Sequence, residues 1–166
     1  GGVGFLSNQS WYGLIHRPPF VPGALRIDAW GLAEIATIAI GLFGAKRLME
    51  AKRTIDALLV LALTELLTSP ISWTHHWSWL VILPIVLVGR RGQRRHVSDV
   101  VMIFVLVVAV ARPYDWPLIG WQGALAKDSL CVAGGILLGT MAFEERTSSP
   151  WLGVLRNVFR RLAANH

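Results

Sequence analysis

Two shortages stand out in this sequence, which has few charged residues and a single cysteine. Charged residues make up only 16% of the chain, whereas a soluble domain carries about 25%. Because Cys131 stands alone, the sequence holds no disulfide framework and no CxxC metal or redox motif. The sequence also starts without an initiator methionine or a signal peptide, in a polar stretch. We therefore expect further membrane spans to precede Gly1 in the complete protein.

Long apolar blocks are what the sequence has instead. Apolar residues make up 54% of the chain, and a helix needs roughly 20 mostly apolar residues to cross the hydrocarbon core of a membrane. Five blocks approach that length once their polar ends are included. The sequence therefore predicts an all-α integral membrane protein with a single helical region of about five transmembrane helices. The predicted spans are 29–45, 55–68, 74–88, 98–111 and 128–143.

The basic residues are placed unevenly between these blocks. A net charge of +6 is compatible with a nucleic-acid partner, but 12 of the 16 basic residues fall in three groups that alternating spans would put on one side. These are Lys46, Arg47, Lys52, Arg53, Arg90, Arg91, Arg94, Arg95, Arg146, Arg156, Arg160 and Arg161. Such residues concentrate in cytoplasmic loops. The charge therefore indicates topology and no nucleic-acid partner. Residues 1–28 are predicted outside the cytoplasm, and 144–166 form a basic cytoplasmic tail of a multi-pass plasma-membrane protein.

Three further patterns concern interfaces and packing. Seven of the eight tryptophans fall on or near the predicted outer side, where the amphipathic indole ring favours the membrane–water interface. Gly135 and Gly139 have the small-xxx-small spacing that predicts close helix packing. The segment Trp151–Leu162 has apolar residues at helical spacing and arginines between them, which favours a helix lying on the inner leaflet; a disordered basic terminus is the alternative.

The segment Ser69–Trp77, between the second and third spans, is the candidate working surface. Pro70 ends a helix, and irregular backbone at membrane depth is tolerated mainly where it is buried in protein or lines a wet cavity. A histidine, with a pKa near about 6.5, can donate to a phosphate or shuttle a proton. On a helix His75 and His76 point about 100° apart, so they cannot both face one site. Paired metal ligation is disfavoured because it uses wider spacing. The alternative is that both are ordinary interfacial residues.

A second polar segment, Asn8-Gln9-Ser10 followed by Arg17, falls on the same predicted side. Amide side chains can hydrogen-bond sugar hydroxyls or phosphate oxygens, and an arginine can hold a phosphate with two hydrogen bonds. The alternative interpretation is a solvated loop. The same residues fit the Asn-x-Ser glycosylation pattern, which is common by chance.

Three of the carboxylates that fall within the predicted spans, Glu34, Asp56 and Glu65, are considered for function. Because a carboxylate at membrane depth is costly, it suggests function by default. Glu65 precedes Ser69 by about one helical turn and is a possible catalytic residue, and Glu34 is a weaker candidate. Either is alternatively a partner of a basic side chain or a protonated packing residue. Asp56, near Arg53 at the inner boundary, is explained by helix capping or by snorkelling to the surface.

These motifs together resemble a known family. Asn8-Gln9-Ser10, a stretch ending in Arg17, and the nonamer Ser69-Pro70-Ile71-Ser72-Trp73-Thr74-His75-His76-Trp77 resemble the C-terminal part of glycosyltransferase family 87. Its members are actinobacterial polyprenyl-phosphate-mannose-dependent α-mannosyltransferases of the cell envelope. The resemblance implies a GT-C-type polytopic fold. It also implies transfer of a sugar from a polyprenyl-phosphate donor to a lipid-linked or glycan acceptor on the extracytoplasmic face. The resemblance alone indicates that this sugar is mannose.

The resemblance also implies roles for particular residues. His75 or His76 is expected to contact the donor phosphate or the acceptor, with Asn8, Gln9, Ser10, Arg17 and Trp73 as further substrate contacts. The family's catalytic acidic residue lies in an early outer loop that nothing here matches, so activity is expected of the full-length protein and not of this part alone. No metal and no cofactor beyond the donor lipid are expected, and the remaining partners are membrane lipids.

Two other classes of function stay open on the sequence alone. One is a transporter or flippase fragment, in which Glu34 and Glu65 would be proton or ion sites and the turn at Pro70 part of the pathway. The other is a non-catalytic membrane scaffold that binds lipid or a partner enzyme.

Overall fold

The computed structural model describes residues 8–17, 21–90, 96–116 and 120–144. In this part of the chain the elements are helices, which confirms the predicted all-α class. The α-helices are α1 (Trp11–His16), α2 (Arg26–Glu50), α3 (Thr54–Thr68), α4 (Ile82–Gly89), α5 (Val97–Ala111), α6 (Gly120–Lys127) and α7 (Ser129–Phe143). Three 3₁₀ helices span Gly23–Leu25, Thr74–Val81 and Pro113–Asp115. The predicted tail helix Trp151–Leu162 lies outside the described residues.

Each of the five predicted spans coincides with a helical segment, but the segments differ in length. Gly23–Glu50 is the one segment among the described residues that is long and apolar enough to cross a membrane by itself. Thr74–Gly89, Val97–Ala111 and Ser129–Phe143 are apolar but shorter. A 15-residue α-helix is about 22 Å long, which is less than the hydrocarbon thickness of about 30 Å. The arrangement of five spans therefore stays a prediction.

The hydrophobic core lies between α3, α4, α5 and α7. Its largest fully buried apolar side chains include Leu63, Leu67, Leu83, Met102 and Leu137. Helix α2 packs against α3 and α7, and α5 packs against α7. The opposite face of α2 leaves large apolar side chains exposed, which fits a helix that is apolar on all sides.

The turn between α2 and α3 reverses the chain between the first two predicted spans. The backbone N–H of Lys52 donates to the Met49 carbonyl (2.9 Å), and that of Arg53 donates to the Leu48 carbonyl (2.8 Å). This pair of hydrogen bonds is the Schellman motif, which needs a left-handed residue after the helix. Lys52 takes that position with φ 58°. The chain then reverses and starts α3 at Thr54.

A buried network of charges closes the bundle at the end where α3 begins. Asp56 is fully buried; it accepts a hydrogen bond from Arg53 Nε at 2.9 Å and pairs with Arg90. Arg90 Nη1 also donates to Asp99 at 2.5 Å. The prediction that Asp56 snorkels to the surface is wrong, because two buried arginines hold its carboxylate inside. The network joins α3 to the end of α4 and the start of α5.

The small residues of α7 do not pack as their spacing predicted. The ring of Trp77 lies against Gly134, and the ring of Trp11 lies against Gly135. Apart from the two chain neighbours and the backbone of α7 itself, no atom of the described residues lies within 4 Å of a Cβ placed at Gly139. Among the described residues, Gly135 and Gly139 therefore do not pack against a common helix, and the two adjacent glycines Gly134 and Gly135 each accept a tryptophan ring instead. Trp77 is buried, so it belongs to the core and not to an interfacial tryptophan belt.

Candidate functional site

The segment after α3 is an irregular turn followed by an unusually long 3₁₀ helix. Pro70 cannot continue α3 because it has no N–H to donate. The 3₁₀ helix Thr74–Val81 has eight residues, whereas runs longer than about 3–4 residues are uncommon and often mark a functional hinge or strain. Helix α4 starts two residues before Pro84, so this proline lies in the first turn, where its missing N–H is not needed.

The 3₁₀ helix presents the two adjacent histidines at its first turn. The side chains of His75 and His76 are both exposed. Their rings meet edge to face with centroids 4.3 Å apart, and the Trp73 ring meets His75 in the same way at 5.5 Å. The backbone N–H of His76 donates to the Trp73 carbonyl at 2.8 Å. Three aromatic rings therefore form one continuous exposed surface.

An open cavity of about 440 Å³ lies beside this surface. The 3₁₀ helix lines one side with Thr74, His75 and Ser78, and apolar side chains from the same helix, α5 and α7 complete it. His76 is not among the lining residues, which agrees with the expectation that the two histidines do not face one site. The cavity thus combines hydroxyl and imidazole groups with an apolar floor.

The polar segment at the start of the described chain is buried directly against this turn. Asn8 and Trp73 form an isolated antiparallel bridge. The Asn8 side chain donates from Nδ2 to the Pro70 carbonyl (3.0 Å) and accepts at Oδ1 from the Ser72 N–H (2.9 Å). The Gln9 N–H donates to the Ser72 carbonyl at 2.7 Å. We call Asn8, Gln9, Ser10, Arg17, Ser72 and Asp128 the outer clamp, after the side of the membrane that the sequence predicts for them.

Gln9 carries the outer clamp across to the junction of α6 and α7. Its Nε2 donates to the Lys127 carbonyl (2.5 Å), and its Oε1 accepts from the Leu130 N–H (3.2 Å). Gln9 is fully buried. One side chain therefore satisfies two backbone groups where two helices meet.

An ion pair completes the outer clamp. Arg17 Nη2 donates to the Asn8 carbonyl at 2.9 Å and pairs with Asp128. Burial lowers the pKa of the Arg17 guanidinium below its usual value, although an arginine stays charged in proteins. Ser10 caps α1 by accepting from the Gly13 N–H at 3.3 Å, and it donates to Asn8 Oδ1 at 3.0 Å.

These contacts decide between the interpretations of Asn8-Gln9-Ser10. A solvated loop is wrong, because the three side chains are at most 1% exposed. A glycosylated Asn8 does not fit either, since both ends of its amide are hydrogen-bonded inside the protein. The structure does bring this segment together with Ser69–Trp77. Asp128 was not among the predicted site residues. A signal for it was present, because Asp128 starts an apolar block on the same predicted side as Arg17, and the two residues carry opposite charges.

The predicted carboxylate candidates lie elsewhere. Glu65 is exposed on α3 and lines an apolar groove of about 350 Å³ together with Trp79 and Ile82. This groove shares no lining residue with the cavity beside His75. Glu34 is half-buried on α2. Within the described ranges, no three His, Cys, Asp or Glu side chains form a group that could hold a metal ion.

Known proteins similar to this chain share one activity in their names. The chain is 35% identical over 161 residues to a polyprenol-phosphate-mannose-dependent alpha-(1-2)-phosphatidylinositol pentamannoside mannosyltransferase of Mycobacterium tuberculosis. The matched region covers 88% of this chain and 36% of that relative. The protein of the same name from Mycolicibacterium smegmatis is 37% identical over 165 residues, or 89% of this chain and 38% of the relative. A phosphatidylinositol mannoside mannosyltransferase of M. tuberculosis is 33% identical over 88 residues, or 52% of this chain and 20% of the relative.

The chain thus spans little more than a third of the length of the two relatives that cover most of it. The matching region is a C-terminal part of them. No protein-family model and no solved structure match the chain. The similarity to these two relatives extends over 88% and 89% of this sequence. By homology, the chain belongs with the polyprenol-phosphate-mannose-dependent α-mannosyltransferases and corresponds to a C-terminal part of them.

Proposed function

We propose that this chain forms the donor-phosphate-binding part of a membrane mannosyltransferase. The full-length protein would move mannose from a polyprenol-phosphate carrier to a phosphatidylinositol mannoside or another lipid-linked acceptor, as the names of its relatives state for them. The observation that carries the proposal is the exposed pair His75–His76, held on a 3₁₀ helix beside an open cavity.

The chemistry explains why these residue types suit that place. Transfer breaks the bond between the sugar's anomeric carbon and a phosphate oxygen, and forms a bond to an acceptor hydroxyl oxygen. The departing polyprenyl phosphate gains negative charge, which preorganised hydrogen-bond donors stabilise. His75 would donate a hydrogen bond to this phosphate from the cavity wall, and Thr74 and Ser78 would contact the sugar. The ring of His76 lies against that of His75 and would help to hold it in place.

The base that takes the proton from the acceptor hydroxyl is not assigned in this chain. Glu65 lines a groove apart from the His75 cavity, so we give it no catalytic role. Asn8, Gln9, Ser10 and Arg17 are buried, so they would act on the substrate through the turn they hold.

We also propose that the protein crosses the plasma membrane five times within this chain. The basic groups between the helices would lie in the cytoplasm together with the C-terminus, and the histidines would lie at the outer surface. Segment Thr74–Gly89 is half 3₁₀ helix. Because a 3₁₀ helix rises about 2.0 Å per residue, the whole segment is about 28 Å long. That length nearly matches the hydrocarbon core.

The test is sugar transfer by membranes that contain the full-length protein. His75→Ala is expected to lower the transfer of labelled mannose from polyprenol-phosphate mannose by about 100-fold, since one lost donor to a developing anion costs about 10²–10³-fold. His76→Ala is expected to have a smaller effect. His16→Ala is the matched control, because this histidine stacks on Tyr12 in α1 and does not line the cavity. Undiminished transfer in both His75→Ala and His76→Ala would contradict the proposal.

The same membranes test the transporter alternative. Movement of the lipid across the membrane without a new glycolipid would favour a flippase. The relatives' names favour the transferase.

A further inference from the structure

We infer that Asn8 is a positioning residue that sets the orientation of His75 and His76 without touching the substrate. The inference rests on the proposed function, because it concerns how the same site is held. It differs from the expectation that Asn8 binds sugar or phosphate directly.

The side chain of Asn8 fixes the turn that leads into the histidines. Its amide bonds to the Pro70 carbonyl and the Ser72 N–H, at 3.0 and 2.9 Å. These groups stand on either side of Ile71, and the 3₁₀ helix starts two residues after Ser72. A proline-containing turn has few backbone hydrogen bonds of its own. The amide therefore supplies contacts that a regular helix would provide by itself.

The same segment also holds a second part of the cavity wall. Gln9, the next residue, accepts from the Leu130 N–H at 3.2 Å, and Leu130 lines the cavity together with His75. Asn8 and Gln9 thus join the histidine turn to the start of α7. Their adjacency fixes the two parts of the wall relative to each other.

Asn8 is itself firmly held. Arg17 donates to its carbonyl oxygen (2.9 Å) and is paired with Asp128. The backbone of α1 approaches so closely that a Cβ at Gly13 would overlap the Asn8 carbonyl. Asn8 is only 1% exposed, so direct contact with a ligand would require breaking these hydrogen bonds.

A positioning role predicts a particular kinetic signature. A misplaced donor weakens stabilisation of the transition state more than binding of the ground state, and a shift of about 1 Å can cost about 10²-fold in rate. Asn8→Ala in the full-length protein is therefore expected to lower kcat about 10- to 100-fold, with KM for polyprenol-phosphate mannose changed less than about 3-fold. Asn8→Asp keeps the oxygen that accepts from the Ser72 N–H but loses the group that donates to the Pro70 carbonyl. Its kcat is therefore expected to be higher than that of Asn8→Ala and lower than that of the unchanged protein.

A double variant separates positioning from a general loss of structure. If Asn8 acts through the two histidines, Asn8→Ala should slow the His75→Ala protein much less than it slows the unchanged protein, and it should have no further effect when both histidines are alanine. The matched control is Thr37→Val. Thr37 is buried and accepts from Trp11 Nε1 at 2.8 Å, so it anchors the same segment to α2 without touching the turn. Thr37→Val is expected to lower the thermal stability of the detergent-purified protein while kcat stays within about 3-fold.

The possible results separate this inference from the proposed function. A higher KM with unchanged kcat in Asn8→Ala would show direct binding and overturn the positioning role. So would effects of Asn8→Ala and His75→Ala that multiply. If Asn8→Ala does not fold, an unchanged kcat in Asn8→Asp overturns the inference. If the histidine variants are inactive while Asn8→Ala is fully active, only this inference fails. If the histidine variants are fully active, the proposed function fails as well.

Discussion

Asp56 is buried between Arg53 and Arg90, at the opposite end of the bundle from His75. One further group belongs to this cluster, since Arg90 also bonds to Asp99. A buried ion pair adds little net stability when it is compared with apolar residues of similar size, but removing one partner leaves a charge buried without compensation. The main effect of the network is therefore to restrict how α3, α4 and α5 can meet, and its net contribution to stability is small.

Replacing Asp56 tests this asymmetry. Asp56→Asn would leave two buried guanidinium groups facing a neutral amide, so we expect a loss of about 3–5 kcal/mol in the free energy of unfolding. The control is Glu50→Gln, which removes an exposed pair with Lys46 at 4.0 Å and should change stability by less than about 1 kcal/mol. Denaturant unfolding in detergent would measure both. Equal losses in the two variants would contradict a specific role for the buried network.

At the scale of a single helix, the packing of α7 depends on two adjacent glycines. Gly134 and Gly135 each receive an indole ring from a different part of the chain, Trp77 from the 3₁₀ helix and Trp11 from α1. Both contacts fall in the first half of α7, the half that begins next to Asp128 of the outer clamp. Helix α7 therefore serves as the surface on which the two polar motifs are brought together.

Two glycine-to-alanine substitutions in α7 are expected to have opposite effects. A methyl group at Gly134 would overlap the Trp77 ring, and overpacking of a core costs about 1–3 kcal/mol. At Gly139, nothing in the described part of the structure lies within 4 Å of the added Cβ apart from the two chain neighbours and the backbone of α7 itself. The better helix propensity of alanine should therefore stabilise Gly139→Ala by about 0.5–1 kcal/mol. Thermal unfolding of the two variants would measure the difference. A stabilised Gly134→Ala would show that the indole ring is not packed there.

For the whole molecule, two polar networks close the bundle at opposite ends. The outer clamp joins the first described segment to the Ser-Pro turn and to α7. The Arg53–Asp56–Arg90–Asp99 network joins α3, α4 and α5. Between the two ends the packing is apolar. This arrangement suits a protein whose middle lies in hydrocarbon, where polar groups must find partners inside the protein.

The proposed orientation can be tested by labelling single cysteines. Ile71 and Glu50 are both exposed, and they lie at opposite ends of α3 in the chain. With Cys131 replaced by serine, a membrane-impermeant maleimide should label Ile71→Cys in intact cells. It should label Glu50→Cys only after the membrane is permeabilised, because the lysines and arginines around Glu50 favour the cytoplasm. The reverse pattern would contradict the orientation, and labelling of both in intact cells would contradict the alternation of spans.

Much of the helical framework could be predicted because its signal is local. The blocks that became α2, α3, α5 and α7 are runs of apolar residues, and their ends are marked by polar or helix-breaking residues. Helices α1 and α6 have only six and eight residues. Such short helices carry too few turns to show a period, so they were not predicted. The 3₁₀ form of Thr74–Val81 was missed because its residues are equally apolar in either kind of helix.

The sequence by itself determined the helical class, the apolar segments and their charge asymmetry, and it marked the two polar motifs as candidate site residues. These properties depend on residues that are neighbours in the chain. Only the tertiary structure decided what the motif residues do. Asn8 meets Pro70 across 62 positions, and Gln9 meets Leu130 across 121. An asparagine that binds a ligand and one that holds a turn look the same in a sequence, because the difference lies in partners that only folding brings within hydrogen-bonding distance.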